Sequence, residues 1–360
     1  MNLSVVEDGR ETAKRRPPGP RWGGLLIGLA GGFAAAVLLY PTVIRTQSET
    51  TPDSEPETVG EAQEIGGIAD VVDGFPDALV LAIRSDGQSL GSMIWPRGGA
   101  AYSRSIPVGV PAAREPVTFD ASGRIIAALA RVGGELPGVL YTGVPQSASI
   151  LAGNVTGYAW HDSAPYEIAY TTATDDVSEL WLRRSRGSEP ELAGELEAAG
   201  RIAAWGDWGH AIQDDPGNSF HVVGSDGQMT TYSGRLLDSG PSGALVMESD
   251  GIGYILLGST EVKEVSGAES ALAARFSDDG ERLAVLGSEW VAVVSLVDGS
   301  ERRIPAGAPG LSQLVWSSDG RFIVYPGRNR LWVIDTQSDA AYEVLAGHVI
   351  AGVGIVPPGS

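Results

Sequence analysis

Cysteine is absent from the 360-residue chain, which excludes disulfides, thiolate metal centres and cysteine nucleophiles. Lysine is almost absent: Lys14 and Lys263 are two among 25 basic residues, and the rest are arginine. Against them stand 45 acidic residues, for a net charge of -20. Such a chain lacks the basic face that phosphate neutralisation needs, so nucleic acid is excluded as a partner. Histidine is scarce as well. His161, His210, His221 and His348 fall in no HxH or HExxH pattern. No GxSxG elbow occurs, since GPSGA at 240–244 has a different spacing, and no glycine-rich phosphate loop follows a strand.

Glycine and proline are abundant, at 49 and 22 residues, and the hydrophobic fraction is 43%. This composition favours many short strands and turns around a packed core. Charge is unevenly distributed. Residues 1–45 carry a net +3, residues 46–76 carry eight acids and no base, and the remainder carries -15.

One long uncharged run stands out: WGGLLIGLAGGFAAAVLLYPTVI, Trp22 to Ile44. It is long enough for a helix to cross a bilayer. Trp22 and Tyr40 sit where interfacial aromatics belong, and Lys14, Arg15, Arg16 and Arg21 precede the span. The pattern predicts a signal anchor at 22–44, a cytoplasmic tail at 1–21 and an extracytoplasmic remainder. A cleaved signal peptide is the competing reading, with AAA at 34–36 as its cleavage site. The apolar VLLY that follows favours an uncleaved anchor. Gly24, Gly28, Gly32 and Ala36 recur every four residues, a stripe that would let two such helices meet in a homodimer. Chance spacing in a glycine-rich anchor explains the stripe equally simply. Residues 45–76, rich in Ser, Thr, Pro and Glu, read as a flexible acidic stalk.

From residue 77 onward the sequence repeats. FSDDGERLAVL (276–286) has a counterpart in WSSDGRFIVYP (316–326). Related stretches are VTFDASGRIIAALA (117–130), YAWHDSAPYEIAYTT (158–172) and IAAWGDWGHAIQ (202–213). The aromatics Phe119, Trp160, Trp205, Phe276 and Trp316 are separated by 41, 45, 71 and 40 residues. A weaker copy at 243–265 fills the longest gap. A period near 40 with four apolar runs per unit marks propeller blades. Each aromatic ends an innermost strand, Asp and Gly close the turn, and three more strands follow. The first unit, 77–108, lacks an inner strand, while Val356 lies 40 residues after Trp316 in a lone apolar strand. That C-terminal strand is expected to close the ring. The count is seven blades, or six if 243–265 is not a full unit.

The FSDDG and WSSDG units resemble the TolB-like and WD-repeat class of β-propellers over residues 77–356. The resemblance implies an all-β propeller and is silent about ligand. The regular Gly-His and Trp-Asp dipeptides of true WD repeats are absent.

Asp278 and Asp279 could serve as an acid–base pair, but their recurrence in the repeat marks them as turn residues. The five aromatics read as inter-blade packing. Binding residues are expected on loops at the other end of the blades. ATDDVSE (173–179) and QDDPGNS (213–219) place Asp175, Asp176, Asp214 and Asp215 in neighbouring units. Converging there, four carboxylates would suit Ca²⁺ or a cationic partner; diverging, they are solvated hairpin tips. His210 and His221 flank the second loop without a third ligand. No catalytic set is apparent. The leading expectation is a membrane-anchored module binding a protein, peptide or glycan of a bacterial envelope. The alternatives are a propeller hydrolase or lyase using channel-mouth carboxylates, and a sensor subunit dimerising through its transmembrane helix.

Overall fold

The computed structural model describes residues 68–358, except 86–88, 99–101, 106–115, 132–135, 145–147, 175–176, 197–199, 215–216, 241–242, 250, 257–258, 260 and 267–270. The span 22–44, with Gly24, Gly28, Gly32 and Ala36, lies outside the described residues. Among those described, no helix is long and apolar enough to cross a membrane.

Among the described residues, one helical turn, α1 (Ile68–Val71), is followed by strands whose ladders are all antiparallel, with one isolated parallel bridge between His161 and Trp205. β1 (Ala78–Ser85), β2 (Ser89–Trp95) and β3 (Tyr102–Ser105) open the first sheet. One seven-stranded sheet follows, from β4 (Thr118–Phe119), β5 (Ile126–Ala130), β6 (Gly138–Gly143), β7 (Ser149–Trp160), β8 (Ile168–Thr174), β9 (Val177–Arg183) and β10 (Glu191–Leu196). The next four-stranded sheet is β11 (Gly200–Gly206), β12 (Gly209–Asp214), β13 (Ser219–Gly224) and β14 (Met229–Ser233). Then come β15 (Arg235–Ser239), β16 (Leu245–Glu248), β17 (Ile252–Ile255) and β18 (Lys263–Val265). A further sheet is β19 (Ala273–Phe276), β20 (Arg282–Leu286), β21 (Trp290–Ser295) and β22 (Glu301–Pro305). The last is β23 (Val315–Trp316), β24 (Phe322–Gly327), β25 (Arg330–Asp335) and β26 (Ala340–Ala346).

The final strand, β27 (Val349–Val356), returns to the first sheet in the order β27-β1-β2-β3. Ala78 faces Val356 and Arg84 faces Val349 across this pair. The unit that lacked an inner strand in sequence receives it from the far end of the fold, as the 40-residue register predicted.

Strand β7 serves two partners. Ser149, Ile150, Ala152 and Val155 pair with β6, and Val155–Trp160 pair with β8, so the two ladders meet at Val155. Beside it Asn154, with φ of +55°, breaks the extended course. The unit read as weak begins earlier than its sequence suggested. Its inner strand is β15, and just beyond it the Gly243 amide donates to the Gly240 carbonyl at 2.8 Å.

Burial follows strand rank. Every residue of IAALA in β5 and FIVYPG in β24 is buried, because these strands are covered on both faces and need no alternation. Outer strands β10 and β14 are largely exposed. Apolar clusters lie between successive sheets; Leu286, Val291, Tyr325 and Ile334, for instance, join the β19–β22 sheet to the β23–β26 sheet. The packed region also starts upstream of Asp77. Ile68, Val72 and Phe75 are fully buried, and the Phe75 ring lies 5.1 Å from that of Phe322. Burying such side chains contributes roughly 1.5–3 kcal/mol each.

Candidate functional site

The innermost strands touch one another in sequence around a closed cycle: β7 to β11, β11 to β15, β15 to β19, β19 to β23, β23 to β27, and β27 to β4. Thr118 on β4 completes it, accepting a 3.0 Å hydrogen bond from the Trp160 indole on β7. Each motif aromatic contacts the preceding inner strand. Phe119 lies against Gly354, Trp205 stands edge-on to His161, Phe276 fills the space beside Gly240, and the Trp316 indole donates to the Arg275 carbonyl. These are inter-sheet packing residues, as the repeat implied.

First and second strands of each unit join at one end, here the turn end; second and third strands join at the other, the hairpin end. The turns share one chemistry. Ser277 Oγ bonds Asp279 at 2.5 Å and accepts from the Arg282 amide, and Gly280 takes φ +68°. Ser317, Asp319, Phe322 and Gly320 repeat this arrangement, with φ +63° at Gly320. In the third copy His161 stands in for the serine, its Nδ1 accepting from the Ala164 amide at 3.0 Å.

These turns also tie neighbouring units together. Asp120 accepts from the Tyr166 amide at 3.1 Å, and Asp162 from the Trp208 indole at 3.0 Å. Arg282 donates to the Gly320 carbonyl, and Ser318 donates to Asp77. At two further interfaces a glutamine supplies the tie. Gln213 accepts from the Leu236 amide, and Gln313 donates to the Val117 carbonyl while accepting from the Val353 amide.

One charged constellation stands on the inner strands near the turn end. Arg275 of β19 donates to Asp238 of β15 at 3.0 Å, and Asp238 also accepts the Phe276 amide at 3.0 Å. Asp278 and Asp162 lie close enough to act on the same guanidinium. Burial pushes the carboxyls of Asp238, Asp278 and Asp162 upward, while Arg275 pulls each back down. Asp238 in turn raises the Arg275 guanidinium. Asp207, almost fully exposed at 89%, stands 3.5 Å from the His161 ring. The constellation offers several acceptors around one half-exposed guanidinium, and it suits recognition of a polar or cationic surface.

This separates Asp278 from Asp279. Asp279 is a turn residue, as the repeat implied: burial raises its carboxyl, but Ser277, the Glu281 amide and Arg282 together hold it below its ordinary value. Asp278 belongs instead with Arg275. Sequence reasoning missed Arg275 and Asp238, although a charge near the end of an otherwise apolar inner strand, AARF, was the available signal.

Of the four predicted loop acids, Asp175, Asp176 and Asp215 lie outside the described residues. Asp214 ends β12 at the hairpin end. It accepts a hydrogen bond from Ser219 and sits 3.0 Å from His221 Nε2, both in its own hairpin. His221 Nδ1 meets Thr231 Oγ1 at 2.8 Å, and burial lowers the His210 imidazole. Among the described residues, no group of three or more His, Asp or Glu side chains is placed to hold a metal.

Antiparallel sheets ranked around a closed cycle of inner strands, with the last strand completing the first sheet, define a β-propeller. Solved structures align with the chain. A functionally unknown protein from Desulfotomaculum acetoxidans aligns over 77% of this chain and 99% of its own, at 9% identity and a TM-score of 0.50. TolB from Acinetobacter baumannii aligns over 78% and 83%, at 16% identity and a TM-score of 0.44. The dihydro-heme d1 dehydrogenase NirN aligns over 78% and 75%, at 14% identity and 0.49. At these identities the likeness is one of fold. No family model and no curated protein matches the sequence.

Proposed function

We propose that the chain is a seven-bladed propeller that binds a protein or peptide partner, held outside the membrane of a bacterial envelope by a helix at 22–44. The observation that carries the binding reading is the closed cycle of inner strands, tied by side-chain hydrogen bonds at successive interfaces. Such a ring holds Asp162, Asp207, Asp238, Arg275 and Asp278 in fixed positions on one rim, and fixed polar groups are what recognition requires. The count of seven is supported by seven separate apolar clusters, one between each pair of successive inner strands. It is also supported by β7, whose first part pairs mainly with β6 and whose second part pairs with β8. The anchor is supported by the uncharged span with its basic flank, and the stalk by the acidic composition that follows.

The test has two arms. Protease added to intact spheroplasts should degrade the propeller and spare the N-terminal tail; full protection of the propeller overturns the placement. A photo-crosslinking residue at Asp207 should trap a discrete partner in cells, and the adduct should disappear in Arg275→Glu. Labelling no different from that at the outer-turn residue Asp298 overturns the rim as the binding surface.

A further inference from the structure

At the hairpin end, on the side opposite the acidic rim, a cleft of about 210 Å³ opens between the β23–β26 sheet and the first sheet. It is lined by the β24–β25 hairpin, by residues 309–311 leading into β23, and by the paired ends of β1 and β27. Its floor is bare backbone. Gly310 and Gly327 approach so closely that a Cβ on Gly310 would lie 2.5 Å from the Gly327 carbonyl oxygen. The Gly310 amide is spent on the Pro326 carbonyl at 2.9 Å, which fixes this approach. Asn329 holds the hairpin with φ +62°, and its carbonyl accepts the Gly347 amide.

Among the described residues, the lining combines the side chains of Arg84 and Arg328 with the apolar Leu311, Val349 and Ile350 and includes no carboxylate. Val349 is 45% exposed. Several arginines elsewhere on the surface are matched to acids: Arg330, two residues on in the same hairpin, meets Glu343 at 2.6 Å, and Arg235 meets Glu248 at 2.6 Å. Among the described residues, Arg328 has no such acid. In a chain with 45 acidic residues, an arginine left without one beside an apolar wall marks a place for an external anion. The volume is below the range of pockets for drug-sized ligands, which limits the occupant to about one residue.

We propose that this cleft binds a peptide carboxylate carried on a short apolar stem, with Arg328 as the anion partner and Leu311, Val349 and Ile350 packing the stem. The site lies at the other end of the sheets from the rim and stands or falls independently of the membrane placement.

The test uses the full-length chain in detergent and three fluorescent pentapeptides read by anisotropy. One ends in Ala-Leu with a free carboxylate, one is its C-terminal amide, and one is an amide carrying Glu in place of Leu. The free acid should bind roughly tenfold to a hundredfold more tightly than its amide, the range expected for a charged hydrogen bond. Arg328→Gln should remove that advantage and Arg328→Lys should keep part of it, with unfolding temperatures unchanged because Arg328 is exposed. Tight binding of the Glu amide with the same Arg328 dependence supports the site and assigns the carboxylate to a side chain. Equal binding of acid and amide, absence of binding by all three, or insensitivity to Arg328→Gln overturns it.

Discussion

Asp77 accepts two hydrogen bonds from Ser318, 241 residues further along the chain: the amide at 2.8 Å and the hydroxyl at 2.5 Å. The aspartate is fully buried and begins the first sheet, while the serine sits in the turn of the last. Asp77→Ala should leave both donors unsatisfied and cost about 1–3 kcal/mol, measured by chemical denaturation. Asp77→Asn, which keeps an acceptor, should cost less. Burial raises the Asp77 carboxyl above its ordinary 3.8. The folded state therefore binds the proton more tightly than the unfolded state. This group's contribution must fall as pH rises from 3.8 through the raised value. That decline should be missing in Asp77→Asn.

Asp335 behaves in the opposite sense. The Arg321 guanidinium grips both its oxygens, at 3.0 and 2.7 Å, and holds the carboxyl far below its ordinary value, helped by Gln337 and Ser338. Its contribution is complete above pH 3.8 and is lost as pH falls toward the depressed value. Thermal unfolding followed between pH 2 and 7 should show a steep acid limb in the parent chain. Asp335→Asn should start lower at pH 7 and lose stability less steeply below pH 4.

Two glycines in left-handed turns should respond differently to alanine. Gly299 has φ +72° and open space around it, so Gly299→Ala should cost about 1–2 kcal/mol from backbone conformation alone. Gly123 has φ +67°, but an added Cβ would lie 1.8 Å from the Ile355 carbonyl oxygen of β27. Gly123→Ala must therefore displace the closing strand and should cost at least twice as much. Equal unfolding midpoints for the two variants would show that β27 gives way freely.

Gln313 offers a third probe of closure. Its side chain bonds the Val117 carbonyl and the Val353 amide, which belong to the two inner strands beyond its own. Gln313→Leu keeps the bulk and removes the polar contacts, and should cost about 1–3 kcal/mol in equilibrium unfolding. Gln313→Glu, which can accept but not donate, should fall between the two.

The repeat was legible because its signal is local. Phe276 to Gly280 and Trp316 to Gly320 encode an inner strand and its turn within five residues, and the 40-residue spacing carries over to Val356. The copy at 158–172 is legible through Trp160 alone, because His161 accepts an amide proton where serine does so elsewhere, and the weak copy at 243–265 begins past its own inner strand, β15. Position within a turn was legible too, yet role was not: Asp278 and Asp279 look equivalent in sequence, and only one builds the turn. The rim was illegible for another reason. Arg275 and Asp238 are 37 residues apart and meet only because the inner strands are drawn into a ring. The hairpin acids read in sequence as a set that could converge between units, and Asp214 meets Ser219 and the His221 ring of its own hairpin instead.

The pairing of β1 with β27 also bears on how quickly the chain can reach this state. Almost every other strand finds its partner in a near neighbour, so most sheets can form as the chain is made. β1 cannot: Leu79 to Ile83, an apolar stretch, keeps an open inner edge until β27 has been synthesised. Contacts of such sequence separation form slowly, and an unpaired apolar edge is prone to join another chain in the meantime. Refolding at rising protein concentration should therefore lose yield before it loses rate, with intermolecular pairing at β1 as the competing event.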